Sequence, residues 1–270
     1  MKIGNHRLWN LDFFRNWQKI LDHSIDLILT DPPFGILGPK QQWDLSIDFA
    51  VVSWIFHQLL SPVGQIAIFC TDKLQSVIDI AFSKNFVLRY RESYLVPSAA
   101  AFHQDRPRPD CGALLVFHRK NATKRSRKFN YESVSDAGDP YVRINRNREH
   151  TFMSSPKRSV DINRSGQRYP SSVVLVPNRP AMKKSERSQT SHPSQKSLAY
   201  LTRQVLLLSD PGQRILDPFA GSATTLVACE QTGRQGFGFE LEEKYFKEAV
   251  KRLQREVESN YQAQGVHDER

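Results

Sequence analysis

The chain has 270 residues and a formal net charge of +10 at neutral pH. This length accommodates one sizeable α/β domain with an insert. No apolar stretch approaches the roughly 18 residues that span a bilayer, and the first residues lack the apolar centre of a signal peptide. We therefore expect a soluble, cytoplasmic protein without a membrane partner. Cys70, Cys111 and Cys229 are too scattered for a disulfide framework or a metal site.

The N-terminal part predicts a helix followed by a strand. Apolar residues recur at near-helical spacing between Trp9 and Asp22, and Asp12 lies where a helix cap is expected. The run from Ile25 to Leu29 is almost continuously apolar, as in a parallel strand that is covered on both faces. The residues just after this strand should therefore lie at the carboxyl edge of a sheet.

The first candidate site follows this strand and comprises Asp31, Pro32, Pro33 and Phe34. The prolines exclude a continued ladder or helix, which leaves the Pro32 carbonyl beside the Asp31 carboxylate. Two acceptors and an aromatic ring suit a planar base that is held by its exocyclic amino group. The alternative is an ordinary turn in which Asp31 accepts from nearby backbone N–H groups. Residues 35–44 predict an active-site loop.

Helices and strands then alternate, as in a parallel sheet. The pattern predicts helices over 47–54 and 74–82, and strands over 65–69, 86–96 and 112–117. The long connection over 97–110 contains Arg106 and Arg108, which we expect to contact the phosphate backbone of a nucleic acid. A solvated loop is the alternative.

The middle of the chain carries the positive charge. Between Arg119 and Ser188 there are 17 Lys and Arg residues against six Asp and Glu, a net +11, so the rest of the chain carries −1. A localised basic segment is typical of a phosphate-binding surface. We interpret residues 119–191 as a target-recognition insert, partly flexible, with Arg125, Arg127 and Lys128 as DNA contacts. A disordered basic loop is the alternative.

The second candidate site lies near the C-terminus. After a helix over 198–206, the strand Arg214–Asp217 leads into a small-residue turn at Gly221 that opens a helix, and the next strand ends at Glu240. This unit cradles nucleotides in doubly wound folds, with a carboxylate for a ribose diol. The candidate ligands are Asp217, Phe219, Ala220, Gly221, Ser222, Thr224, Thr225 and Glu240. A purely structural turn with a solvated Glu240 is the alternative.

The two motifs, with the catalytic one first, resemble those of the beta-class, permuted DNA amino-methyltransferases, which use S-adenosylmethionine. The stretches 11–14, 22–26, 169–173 and 192–197 are also similar to that family. Two positions depart from its pattern, since the family turn usually has Gly where this chain has Ala223, and Tyr where it has Phe34. Neither change removes a group that the chemistry needs.

The resemblance implies a doubly wound, mostly parallel, seven-stranded Rossmann-like sheet. It assigns residues 1–118 to the catalytic part, 119–191 to the insert, 192–258 to the cofactor-binding part and 259–270 to a flexible tail. It also adds Asp12, Gln195, Lys196 and Ser197 as residues that contact S-adenosylmethionine. For Asp12, the role of a helix cap is an equal alternative.

The resemblance further implies a DNA methyltransferase that needs no metal and acts on a flipped base in double-stranded DNA. An Asp-led tetrad favours adenine N6, with cytosine N4 as the alternative. One alternative is a catalytically inactive DNA-binding relative, against which the intact Asp31, Gly221 and Glu240 count. Another is an RNA or protein-amide methyltransferase, whose motif more commonly has Asn at the position of Asp31. A homodimer, a cognate restriction endonuclease and association with the nucleoid through DNA agree with the resemblance.

Overall fold

A computed structural model describes residues 1–35, 47–96, 110–123, 127–134, 136–137, 141–145, 159–163, 167–176 and 190–265. The chain divides into two compact units, Met1–Phe129 with Ser172–Arg270, and Asn130–Ser171. The second unit falls within the predicted insert 119–191, whose two flanks belong to the first unit. Most of the predicted active-site loop and of the arginine-containing connection lies outside the described residues.

The described strands alternate with helices through most of the first unit. The strands are β1 Lys2–Ile3, β2 His6–Trp9, β3 Ile25–Thr30, β4 Leu60–Cys70, β5 Phe86–Leu95, β6 Cys111–Arg119, β7 Asp136–Ala137, β8 Tyr141–Asn145, β9 Ser159–Asn163, β10 Gln167–Arg168, β11 Val173–Leu175, β12 Arg214–Asp217 and β13 Gln235–Phe239. The helices are α1 Phe13–Asn16, α2 Phe49–Leu59, α3 Asp72–Phe82, α4 Leu198–Leu208, α5 Thr224–Gln231 and α6 Glu243–Gly265.

The first unit is built on a sheet with the strand order β1-β2-β13-β12-β3-β4-β6-β5-β11. Neighbours from β2 to β4 run parallel, whereas β6 lies antiparallel between β4 and β5. The prediction of a mostly parallel, doubly wound sheet is confirmed. The described sheet has nine strands rather than the seven expected, because the short strands β1 and β11 extend its two edges.

The central strand β3 is buried on both faces, as its apolar sequence predicts. Ile25, Leu27, Ile28 and Leu29 are all fully buried. One apolar core joins β3 and β4 to helices α2 and α3, and a second core joins helices α5 and α6 to the β1–β2 edge. Helices on both faces leave the carboxyl ends of the parallel strands as the place where loops can form a site.

Helix boundaries follow capping and packing. Helix α2 begins after Asp48, whose carboxylate accepts from the backbone N–H groups of Ala50 and Val51. The predicted N-terminal helix is limited to α1 and a 3-10 turn over Trp17–Lys19, because Trp9 belongs to β2 and the backbone is extended again at Ile20. Helix α6 continues to Gly265, beyond the predicted start of the tail. Within the described residues, no helix has the length and apolar character needed to cross a bilayer.

The second unit contains two antiparallel pairs, β7 with β10 and β8 with β9. The rings of Tyr131 and Tyr169 stack in it, with centroids 4.3 Å apart. These pairings give the predicted insert an ordered β-structure, which its fading periodicity did not predict.

Candidate functional site

The two motifs meet because β3 and β12 are neighbours. Leu27 pairs with Ile215 and Ile28 with Leu216, so both strands deliver their carboxyl ends to the same edge. The Thr30 hydroxyl at the end of β3 donates to an Asp217 carboxylate oxygen at the end of β12, over 2.8 Å. The catalytic and cofactor motifs therefore line one cavity of about 800 Å³ at the carboxyl edge.

Asp217 holds the second motif together. Its carboxylate also accepts from the Thr225 hydroxyl over 2.6 Å and from the Phe219 backbone N–H over 3.2 Å. Burial raises the pKa of Asp217 to about 6, although the three hydrogen bonds act in the opposite direction. Because these donors already use its oxygens, Asp217 mainly fixes the strand end and the turn around the cavity.

Two residues in the turn after β12 have a positive φ. Gly221 has a φ of +50°, and a Cβ there would lie 3.2 Å from the His192 Nε2 atom. Ala223, which precedes helix α5, has a φ of +56°. The first position therefore favours glycine both for its backbone angle and for the close approach of a ring. At the second position the chain accepts the strain of an alanine in the left-handed region.

Glu240 follows β13 and faces this turn. One carboxylate oxygen accepts from the Gly221 N–H and the other from the Glu242 N–H, each over 2.8 Å. Burial raises the pKa of Glu240 to about 7, against the effect of these two hydrogen bonds. Glu240 is therefore a buried acid in the cavity wall that changes charge near neutral pH, rather than a solvated strand end.

Residues 190–196 bring a third set of groups into the cavity. The Thr190 hydroxyl, the Ser191 N–H and the Ser191 hydroxyl all donate to the Glu248 carboxylate of α6. At the other end of the segment, the Lys196 ammonium donates to Asp31 Oδ2 over 2.6 Å. Both amide atoms of Gln195 are buried without a hydrogen-bond partner among the described residues. An amide in this state needs polar groups of a ligand or water.

Aromatic rings form the wall on the side of α1. Phe13 lies edge-on to Phe219 and Phe239, with centroids 6.2 and 5.3 Å away. Asp12 caps α1 by accepting from the Phe14 N–H over 2.8 Å, and it also lines the cavity. The helix-cap role of Asp12 is therefore present in the structure, and its predicted contact with a cofactor stays a prediction.

The chemistry of this cavity agrees with a family that spans most of the chain. Residues 25–251 match the model of the N6/N4 methyltransferase family, described as DNA methylase. The chain belongs to this DNA methylase family. The resemblance seen in the sequence is thereby confirmed.

Individual relatives agree with this membership. The chain is 28% identical over 272 residues to the DNA adenine methyltransferase YhdJ of Escherichia coli (strain K12), with 94% of this chain and 83% of the relative covered. It is 25% identical over 277 residues to the Type II methyltransferase M2.DpnII of Streptococcus pneumoniae, with 92% and 90% covered.

Solved structures support the fold. The M1.HpyAVI-SAM complex is similar with a TM-score of 0.58 at 22% identity, covering 92% of this chain and 98% of that one. The cytosine-N4-specific PvuII DNA methyltransferase is similar with a TM-score of 0.66 at 14% identity, covering 95% and 93%.

Most predicted site residues of this DNA methylase lie together. The cavity is lined by the predicted catalytic residues Asp31, Pro32, Pro33 and Phe34 and by the predicted cofactor residues Asp12, Gln195, Lys196, Asp217, Phe219, Ala220, Gly221, Ser222, Thr224, Thr225 and Glu240. Ser197 does not line it, because this buried residue precedes α4 as its cap and its carbonyl accepts the Leu201 N–H.

The structure does not bring the predicted DNA contacts Arg127 and Lys128 to the cavity. The Lys128 ammonium lies 2.6 Å from a carboxylate oxygen of Asp210, which precedes β12. Arg127 donates to the Ala122 carbonyl. Both residues are thus at the amino ends of the parallel strands, opposite the cavity. Their role as DNA contacts stays a prediction. The remaining predicted contacts, Arg106, Arg108 and Arg125, lie outside the described residues.

Several residues that shape the site were missed in the sequence. Arg252 of α6 donates to the Ser222 carbonyl over 3.0 Å and to the Thr224 hydroxyl over 2.7 Å. Glu248 lies one helical turn earlier and holds the segment with His192. The sequence around His192 was a usable signal, because it formed part of the resemblance. Nothing in the local sequence identified Arg252 and Glu248 of α6, since their role depends on tertiary contacts.

Proposed function

We propose that this DNA methylase transfers a methyl group from S-adenosylmethionine to the exocyclic amino group of a flipped base in double-stranded DNA, and that the base is adenine. The observation that carries the proposal is the joint cavity in which Asp31 lies beside the turn of Gly221 and Glu240. One motif can hold the acceptor amine while the other holds the methyl donor.

The residues of the second motif fit the proposed cofactor. His192 lies so close to Gly221 that the turn has no room for a side chain at this position. The Glu240 carboxylate contacts the same turn by accepting from the Gly221 N–H. The buried amide of Gln195 provides one donor group and one acceptor in the wall of the same cavity. We assign Glu240 to the ribose hydroxyls of S-adenosylmethionine and the Gly221 turn to the remaining polar groups of this cofactor. S-adenosylmethionine supplies a methyl group that is bound to a positively charged sulfur. Loss of the methyl group leaves this sulfur as a neutral thioether.

The first motif, Asp31 to Phe34, makes the amino group of the target base more nucleophilic. The amino nitrogen of a base is a poor nucleophile because its lone pair is delocalised into the ring. Hydrogen bonds from its two N–H groups to Asp31 and to the Pro32 carbonyl localise that lone pair on nitrogen. Phe34 lines the same cavity and offers a ring for stacking. As nitrogen gains the methyl group it gives up one proton, and the Asp31 carboxylate, which accepts a hydrogen bond from the amine in this arrangement, can take it.

Adenine is favoured over cytosine for two reasons. The Asp-led tetrad resembles that of adenine enzymes, and the relative YhdJ is named as a DNA adenine methyltransferase. Both bases present an amine with two hydrogens, so the hydrogen bonds of Asp31 alone do not decide between them. A purine offers Phe34 a larger stacking area.

The decisive experiment is nucleoside analysis. Duplex DNA incubated with the protein and labelled S-adenosylmethionine should yield N6-methyladenine after digestion, while RNA and protein acceptors stay unlabelled. N4-methylcytosine would contradict the choice of base, and label in RNA or protein alone would contradict the DNA substrate.

We also propose, from the resemblance, a homodimer, association with the nucleoid through DNA, and a cognate restriction endonuclease. Sedimentation of the pure protein tests the homodimer. Resistance of its methylated DNA to sequence-specific endonucleases tests the link to restriction.

A further inference from the structure

The ion pair between Lys196 and Asp31 occupies the centre of the proposed catalytic motif. The two atoms are 2.6 Å apart, and each side chain is only about one-fifth exposed, 20% for Lys196 and 19% for Asp31. The ammonium also lies 5.2 Å from the centroid of the Phe69 ring. A carboxylate on one side and an aromatic ring on the other fix the position of this charge.

This pair uses only one of the two carboxylate oxygens. Lys196 donates to Oδ2, whereas Oδ1 is buried and has no hydrogen-bond partner in the part of the chain that the structure describes. Asp31 lines the cavity, so Oδ1 is the acceptor that remains for a ligand there. One oxygen of the Asp31 carboxylate thus binds Lys196, and the other is available to the substrate.

Within the described ranges, three ionisable groups face Asp31 from other elements. These are Lys196 before α4, Tyr94 from β5 and Asp217 from β12. Burial raises the pKa of Tyr94, so the phenol is neutral. Burial lowers the pKa of Lys196, but the Asp31 carboxylate outweighs it, and the pKa of Lys196 is raised overall. Lys196 is therefore the one cation among these three groups.

We propose that Lys196 is a positioning residue, which holds Asp31 in its ionised form and leaves Oδ1 for one hydrogen of the target amine. The proposal rests on the proposed function and replaces the predicted role of Lys196 as a cofactor contact. Its physical basis is that an ionised carboxylate is an acceptor at both oxygens, whereas a protonated carboxyl group carries an O–H donor on one of them. A buried carboxylate without a cationic neighbour binds a proton more readily.

The test compares Lys196→Met, which removes the charge, with Lys196→Arg, which keeps it. For each protein kcat is measured against pH at saturating S-adenosylmethionine and DNA, and the affinity for S-adenosylmethionine is measured by calorimetry without DNA. We expect the acid limb of the Lys196→Met profile to move up by about one pH unit, and the Lys196→Arg limb to return towards the parent. Cofactor affinity should change less than about twofold, since the ammonium contacts Asp31.

Lys247→Met is the matched control, because Lys247 has the same 2.6 Å contact with a carboxylate, Glu243, on the exposed surface of α6. Its pH profile should equal the parent's. A second comparison, of Asp217→Asn with the double variant Asp217→Asn/Lys196→Met, removes the buried acid that interacts with Asp31 and has a pKa of about 6. The displacement of the acid limb should persist in that pair.

Two results would overturn the proposal. One is an acid limb of Lys196→Met that coincides with the parent's. The other is a loss of S-adenosylmethionine affinity above about tenfold with kcat preserved at saturation, which would make Lys196 a cofactor ligand. Failure of the proposed function is distinct from both, since the parent protein itself would then form no methylated base.

Discussion

Cofactor binding should depend on pH through Glu240. The pKa of this carboxyl group is raised to about 7 by burial, so the group is about one-tenth ionised at pH 6 and about nine-tenths at pH 8. Ribose hydroxyls donate more strongly to a carboxylate than to a neutral acid. Binding of S-adenosylmethionine should therefore favour the ionised form and strengthen as pH rises.

The magnitude follows from these fractions. If only the ionised form binds, affinity rises about tenfold from pH 6 to pH 8, or about 1.4 kcal/mol. Asp217, with a pKa of about 6, adds at most about a factor of two over the same range. Glu240→Gln should therefore leave at most this twofold dependence. At pH 8 it should also weaken binding by about 1.5 to 3 kcal/mol, the range for a hydrogen bond to a charged group.

Calorimetric titration at pH 6, 7 and 8 measures both effects. Glu242→Gln is the matched control, because Glu242 undergoes the same chemical change and does not line the cavity. Its charge contributes to raising the pKa of Glu240, so this variant should keep the pH dependence and move it to slightly lower pH. A parent affinity that is flat from pH 6 to pH 8, or the parent's slope in Glu240→Gln, would refute the assignment of Glu240 to the ribose.

Two further predictions concern the turn and the basic residues. Gly221→Ala and Gly233→Ala both place alanine at a positive φ and should each lower the free energy of unfolding by about 1 kcal/mol. Only the Gly221 variant puts a Cβ against His192, so only it should weaken S-adenosylmethionine binding, by about tenfold. Equal affinities of the two variants would show that the close approach at Gly221 is not needed for cofactor binding. If Lys128 is a DNA contact as predicted, Lys128→Ala should make the logarithmic salt slope of DNA binding shallower by about 0.9. An unchanged slope would instead leave its ammonium with the single role of pairing with Asp210.

Those parts of the fold with strong local signals were predictable from the sequence. The fully apolar run of β3 and the Asp-Pro sequence after β12 identified both strand ends, because burial on both faces and proline leave few alternatives. Strand β4 starts earlier than predicted, at Leu60. Pro62 and Gly64 hid its first half, and a register shift in its pairing with β3 accommodates this irregular start.

The contacts between distant residues could not be predicted in this way. The pairing of Lys196 with Asp31 joins positions 165 residues apart, and sequence spacing contains no information on it. The same holds for Arg252, which reaches the Ser222 turn from α6. The segments that the resemblance assigned to the ligand line the cavity, but the resemblance did not predict that Lys196 contacts Asp31.

The central claim is that one cavity holds the methyl donor and the acceptor amine with separate groups. Asp31→Ala tests it most directly, when methyl transfer to DNA and calorimetric binding of S-adenosylmethionine are measured on the same preparation. We expect transfer to be lost while the affinity for S-adenosylmethionine stays within about threefold of the parent's, less than the loss of one typical hydrogen bond. Transfer at nearly the parental rate would contradict the role of Asp31, and loss of cofactor binding together with transfer would contradict the separation of the two groups.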